Sequence, residues 1–136
     1  MARPEEPRDA DAVRRLLGML NPGDEDRFAG EVRQGWRSFV AERDGVVVGW
    51  LLATFADYGL PHEGGGVIEQ LVVDNEYRRS GVGRELVDAC WEWLQSEGVH
   101  LAFVSTADGS DAASFYERCG FERCRGPWLV RARWDT

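Results

Sequence analysis

The stretch from Gly66 to Leu94 constrains the fold more than any other part of the chain. An apolar strand, a basic glycine turn and an amphipathic helix follow one another there without a gap. Residues 67–73 are apolar and rich in β-branched side chains, interrupted only by Glu69 and Gln70, as in a mostly buried strand. Asp74-Asn75 breaks it. After Arg78-Arg79-Ser80-Gly81-Val82-Gly83 the apolar residues return at Val82, Leu86, Ala89, Cys90, Trp93 and Leu94. That is helical spacing, and it puts the glycines where the helix begins. A helix start presents unpaired backbone N–H groups and the positive end of a dipole, and small residues let a ligand come close to them. With arginines alongside, an anion site is expected, and phosphate is its natural anion.

The flanking sequence supplies this unit with neighbours. Ala10, Val13, Leu16, Leu17 and Leu20 make the apolar stripe of a first helix over about 9–20, ended by Asn21-Pro22-Gly23. A second, weaker helix is expected over 24–34, with Asp24, Glu25 and Asp26 in its first turn and Phe28 and Val32 inward. Residues 39–43 and 46–53 are β-rich runs around Asp44-Gly45, a dipeptide suited to the positive φ of a primed hairpin turn. The Gly-, Pro- and His-containing loop 56–66 follows, either as a place for substrate contacts or as a plain surface connection. Beyond the central helix, Gly98 reads as its C-cap and 101–106 as a strand. Asp108-Gly109-Ser110-Asp111 opens a short helix to Cys119, and 128–134 alternates as a last strand carrying Trp128 and Trp134. The order predicts an α/β fold: a mixed, mostly antiparallel central sheet flanked by helices, with at least one parallel crossover. Ligands of such sheets bind where strand order switches, here beyond the carboxyl end of the 67–73 strand.

At 136 residues the chain is long enough for one domain, 1–136, and too short for two. No apolar run approaches the ~20 residues of a membrane span, and the first residues lack the apolar region of a signal peptide. Neither membrane nor nucleic acid is an expected partner. A net charge of −8 opposes a phosphate backbone, yet an acidic chain with one basic turn suits a small phosphorylated ligand and a cationic second substrate. Cys90, Cys119 and Cys124 are odd in number and lack metal-ligand spacing. They read as reduced thiols of a cytoplasmic protein without a metal.

Two familiar phosphate motifs fail. There is no Gly-Lys-Ser/Thr of a Walker loop, and the third glycine of a dinucleotide fingerprint is replaced by Leu86. The pattern instead resembles the GNAT superfamily of N-acetyltransferases, whose R/Q-x-x-G-x-G/A motif is matched at each fixed position by Arg78-Arg79-Ser80-Gly81-Val82-Gly83. The preceding Leu-Val-Val-Asp-x-x-Tyr-Arg and the later Phe115-Tyr116-Glu117-Arg118-Cys119-Gly120-Phe121 are similar to that family as well.

The resemblance implies a splayed pair of central strands that binds acetyl-CoA, with no metal. Pyrophosphate would be held by backbone N–H groups and side chains of Arg78, Arg79, Ser80, Gly81, Val82, Gly83 and Arg84. The pantetheine arm would pair with the backbone at Leu71 and Val73, and the N–H of Leu71 or Val72 would polarise the thioester carbonyl. An alkylamine has a pKa of ~10.4 and must lose a proton before it attacks. Glu69 is the first candidate base, with Asp57, His62 and Glu63 as rivals. Tyr116 is the candidate acid for the departing thiolate, against a packing role between helix and sheet. Gly109 stands where many members carry an asparagine that contacts CoA, leaving that contact missing or supplied by Ser110 or Asp111. The acceptor is expected to be a cationic small molecule, polyamine- or aminoglycoside-like, with peptide and protein amines open. A non-catalytic acetyl-CoA-binding module is the alternative of another class. The last strand could pack a homodimer or cover its own core.

Overall fold

The computed structural model describes residues 1–20, 22–23, 35–56, 65–106, 109–123 and 131. The helix expected at 24–34, the loop residues Asp57, His62 and Glu63, Asp108, Cys124 and, but for residue 131, the strand at 128–134 lie outside them. The chain divides into two compact units, Met1–Ser105 and Thr106–Thr136.

The first unit holds a five-stranded sheet whose strands lie side by side in chain order. They are β1 (Ala2–Pro4), β2 (Trp36–Arg43), β3 (Val46–Ala56), β4 (Gly65–Val73) and β5 (Ala102–Val104). The first three pairings are antiparallel and β4–β5 is parallel. Helix α1 (Ala10–Leu20) precedes β2, and α2 (Val82–Ser96) makes the crossover from β4 to β5. The mixed sheet expected from the sequence is therefore present. Its β2–β3 turn has Asp44 at φ 52° and Gly45 at φ 78°, the pair of positive angles that a primed turn needs.

Side-chain alternation separates two faces of the sheet. Val40, Trp50, Leu52 and Val72 pack with Val13, Leu16 and Leu17 of α1. Helix α2 lies on the other face, where two glycines bring it close. A Cβ at Gly49 would stand 2.7 Å from a Val82 methyl and 2.9 Å from one of Leu86, and a Cβ at Gly66 would stand 2.5 Å from both Leu94 methyls. Trp93 fills the gap beside them, its ring centroid 6.2 Å from those of Phe39 and Phe55. Helix α2 ends as expected at Gly98 (φ 77°), with Val99 N–H bonded to Leu94 C=O and Gly98 N–H to Gln95 C=O, the paired bonds of a Schellman cap.

Strand β1 is an addition to the expected elements. Three residues ending in proline carry no periodic signal, and they form a strand only because β2 offers partners at 39–41. Arg3 fixes the edge: its guanidinium donates to both oxygens of the buried Asp9, at 2.8 and 2.9 Å, and to Glu42. That bidentate contact holds the Asp9 carboxyl below the usual carboxylate range.

In the second unit α3 (Asp111–Arg118) is capped by Ser110, whose hydroxyl accepts from Ala113 N–H at 3.1 Å. Gly120 (φ 96°) ends it, with Phe121 N–H bonded to Tyr116 C=O at 3.0 Å. Among the described residues no helix is long and apolar enough to cross a membrane.

Candidate active site

β4 is paired with β3 along its whole length but with β5 only from Gly66 to Ile68. Between those last paired residues and the strand end, the β3–β4 register slips. Leu52 lies opposite Gln70 and Ala53 opposite Ile68, so Glu69 has no residue across from it. This is a β-bulge, an extra residue that bends a strand and re-aims its side chains. It falls where β5 parts from β4.

The bulge decides which backbone groups are left over. Asp74 N–H donates to Val48 C=O at 2.8 Å. Bonding alternates along an antiparallel ladder, so Val72 and Gln70 also turn N–H and C=O toward β3. Leu71 and Val73 turn theirs to the other side, beyond the last β5 pair. Of the two donors expected for a thioester carbonyl, Leu71 is the one on the open side. Val72 N–H faces Trp50 instead, and its side chain is buried in the core beside α1.

The glycine turn lies a few residues on and is tied down from behind. Asp74 accepts from Glu76 N–H at 3.0 Å and from Arg15 of α1 at 2.7 Å, while Arg15 also donates to Val47 C=O at 2.9 Å. The Arg15 guanidinium and the Glu76 amide hold the Asp74 carboxyl below its ordinary value. Tyr77 N–H bonds to Asp74 C=O at 2.9 Å, closing a 3-10 turn over Asn75–Tyr77, and Ser80 Oγ donates to Tyr77 C=O. Arg79 (φ 65°) and Gly81 (φ 86°) both take the left-handed conformation.

Helix α2 begins beyond Gly81 with no side chain capping it, its first internal bond running from Glu85 N–H to Gly81 C=O at 3.0 Å. The amides of its opening turn thus point outward. Arg78, Arg79, Ser80, Gly81 and Arg84 are exposed, whereas Val82 anchors the turn in the core. A Cβ at Gly81 would meet no protein atom within 4 Å, so glycine serves the positive φ and leaves the approach open. Glu85, an acid in this first turn, is engaged by Arg43 at 2.9 and 3.1 Å, which keeps its carboxyl low and offsets its charge. The whole arrangement suits an anion.

The exposed Glu69 accepts a hydrogen bond from Thr54 Oγ1 at 2.9 Å. Tyr116 belongs to the second unit, where it is the buried residue of α3 and packs edge-on against Phe115 and Phe121, at 5.0 and 5.4 Å between centroids. Phe121 is the residue just past the helix cap, and its N–H bonds back to Tyr116 C=O. Burial pushes the Cys90 thiol up to about 12, which keeps it protonated and poor as a nucleophile. Sequence reasoning passed over Arg15, Arg43 and Thr54. Each acts on a residue at least 15 positions away, brought near by packing of α1 and α2 on the sheet for Arg15 and Arg43, and by pairing of β3 with β4 for Thr54.

Comparison with known proteins matches the Acetyltransferase (GNAT) family to residues 10–121. The chain belongs to the GNAT acetyltransferase family. A curated relative, the uncharacterized N-acetyltransferase CT2212 of Chlorobaculum tepidum, is 30% identical over 96 residues. That is 71% of this chain, and the match spans 56% of the relative's length. Among solved structures, the aminoglycoside N-acetyltransferase AAC(6')-Iy, bound to a CoA-S-monomethyl-acetylneamine bisubstrate analog, superposes with a TM-score of 0.80. Its identity is 21%, with 98% of this chain and 97% of that one covered. Glucosamine-6-phosphate N-acetyltransferase from Arabidopsis thaliana superposes with a TM-score of 0.78 at 22% identity, covering 99% and 98%. At these identities the likeness is one of GNAT fold.

Proposed function

We propose that the chain is an acetyl-CoA-dependent N-acetyltransferase, working as one domain over 1–136 and transferring acetyl to a primary amine by direct attack in a ternary complex. The observation that carries this reading is the open side of β4, where Leu71 and Val73 present backbone groups that neither β3 nor β5 takes up. Membership of the GNAT family supports it, as does the presence of CoA in a structure of the similar aminoglycoside enzyme.

Acetyl-CoA would supply an acetyl thioester. The chain's own groups then divide the work. Backbone amides of the opening turn of α2, with Arg78, Arg79, Ser80 and Arg84, bind the pyrophosphate. Leu71 and Val73 hold the arm as an added strand, and Leu71 N–H stabilises the oxygen on which charge builds. Glu69 accepts the proton an ammonium must lose, and Tyr116 returns one to the departing thiolate. A cationic small-molecule acceptor, polyamine- or aminoglycoside-like, is favoured by the exposed Glu69 and the net charge of −8. Cytoplasmic residence and a homodimer through 128–134 belong to the same proposal.

Calorimetry with acetyl-CoA, followed by thiol release with spermidine, kanamycin and a lysine peptide, tests it. Binding in the micromolar range with release dependent on one of the amines is expected. Binding without release from any amine would leave a sensor module, and absence of binding would end the proposal.

A further inference from the structure

The carboxylate of Glu69 is held from a strand that sequence reasoning left out of the site. Thr54 lies opposite Val67, and Glu69 is two residues further along β4, the diagonal distance that a long side chain spans. Thr54 alternates with Trp50 and Leu52, so it points to the α1 face of the sheet. Pairing resumes at Gln70 after the bulge, which leaves Glu69 and Gln70 both on that face. The donor is rigid: a β-branched residue has a restricted χ1, and β3 is paired on both sides at this level, with Trp36 and Val67. The acceptor is otherwise loose, an exposed glutamate on an unpaired residue. Among the described residues, Oε1 takes the Thr54 hydroxyl and nothing is bonded to Oε2.

We infer that Thr54 is a positioning residue, holding Oε1 of Glu69 so that Oε2 meets the acceptor amine. This rests on the reading of Glu69 as proton acceptor. In the step it serves, a proton passes from the ammonium nitrogen to Oε2, leaving a neutral amine with its lone pair and a neutral Glu69. The Thr54 proton stays on Oγ1 throughout. Without the hydroxyl, Glu69 samples several rotamers and fewer of them face the amine.

Thr54→Val keeps shape and strand propensity and removes only the donor, while Thr54→Ser keeps the donor. With acetyl-CoA and the fastest amine of the panel, Thr54→Val should lower kcat about tenfold at an unchanged KM for acetyl-CoA, and Thr54→Ser should stay within about twofold of the parent. In a Glu69→Gln background Thr54→Val should cost nothing further. A crystal structure of Thr54→Val should show the Glu69 carboxylate displaced. An unchanged kcat, an equal loss in the Glu69→Gln background, or a carboxylate still in place would each overturn the role of Thr54. If the parent releases no thiol with any amine, the acetyltransferase reading fails instead, and the Glu69 position in the crystal still decides whether Thr54 holds it.

Discussion

Among the described residues, β4 has a strand on either side and a helix pressed onto one face from Gly66 to Ile68, whereas from Glu69 to Val73 it has a strand on one side alone. Both halves carry β-branched residues, and only Glu69 and Gln70 interrupt the apolar run between them. The difference comes from one extra residue. Up to Ile68 the backbone groups on the β5 side find sheet partners, and Gly66 N–H also bonds to Leu101 C=O at 2.9 Å. Past the bulge neither β3 nor β5 takes up the donors and acceptors on that side, which stay available to other partners. One half of the strand is held on both sides by the sheet, and the other is open toward β5.

Breaking the first half should cost the most stability. Gly66→Ala drives a Cβ into Leu94, which is fully buried and cannot yield, so a loss of about 2 kcal/mol is expected in urea unfolding. Gly81→Val should do the reverse. Its space is open and its cost is the left-handed φ, about 1 kcal/mol of stability. The affinity for acetyl-CoA, measured by calorimetry, should fall about tenfold.

Arg15→Met sharpens the comparison by loosening only what links the open half to the glycine turn. Because Arg15 keeps the Asp74 carboxyl low, their pairing stabilises the fold above the ordinary carboxylate range and is lost as pH falls through the lowered value. The variant should lose less than about 1 kcal/mol at pH 7. Its stability should decline less steeply below about pH 4 than the parent's, as urea unfolding at several pH values will show. Leu71→Met should have the smallest effect, under about twofold in the KM for acetyl-CoA, since the contact expected there is made by backbone.

What could be read from the sequence was local. Asp44-Gly45 encodes its own turn, the stripe of α2 its buried face, and Gly98 and Gly120 their caps, because each signal lies within a few residues of its effect. Strand β1, the bulge at Glu69 and the tether from Arg15 to Asp74 escape for the opposite reason. A bulge exists only relative to a partner strand, and Arg15 and Asp74 stand 59 positions apart. The motif therefore marks the glycine turn residue by residue, yet leaves Val72 beside Leu71 as an equal candidate donor. Separating them needed the parity of the β3–β4 ladder.

That parity gives the most direct test. Amide hydrogen exchange should be followed for individual residues of β4 with and without acetyl-CoA. Val72 should be slow in both states. Leu71 and Val73 should exchange fast alone and slow at least tenfold when acetyl-CoA is added. Leu71 and Val73 protected already in the free protein, or unmoved by acetyl-CoA while it binds, would contradict the proposed binding edge.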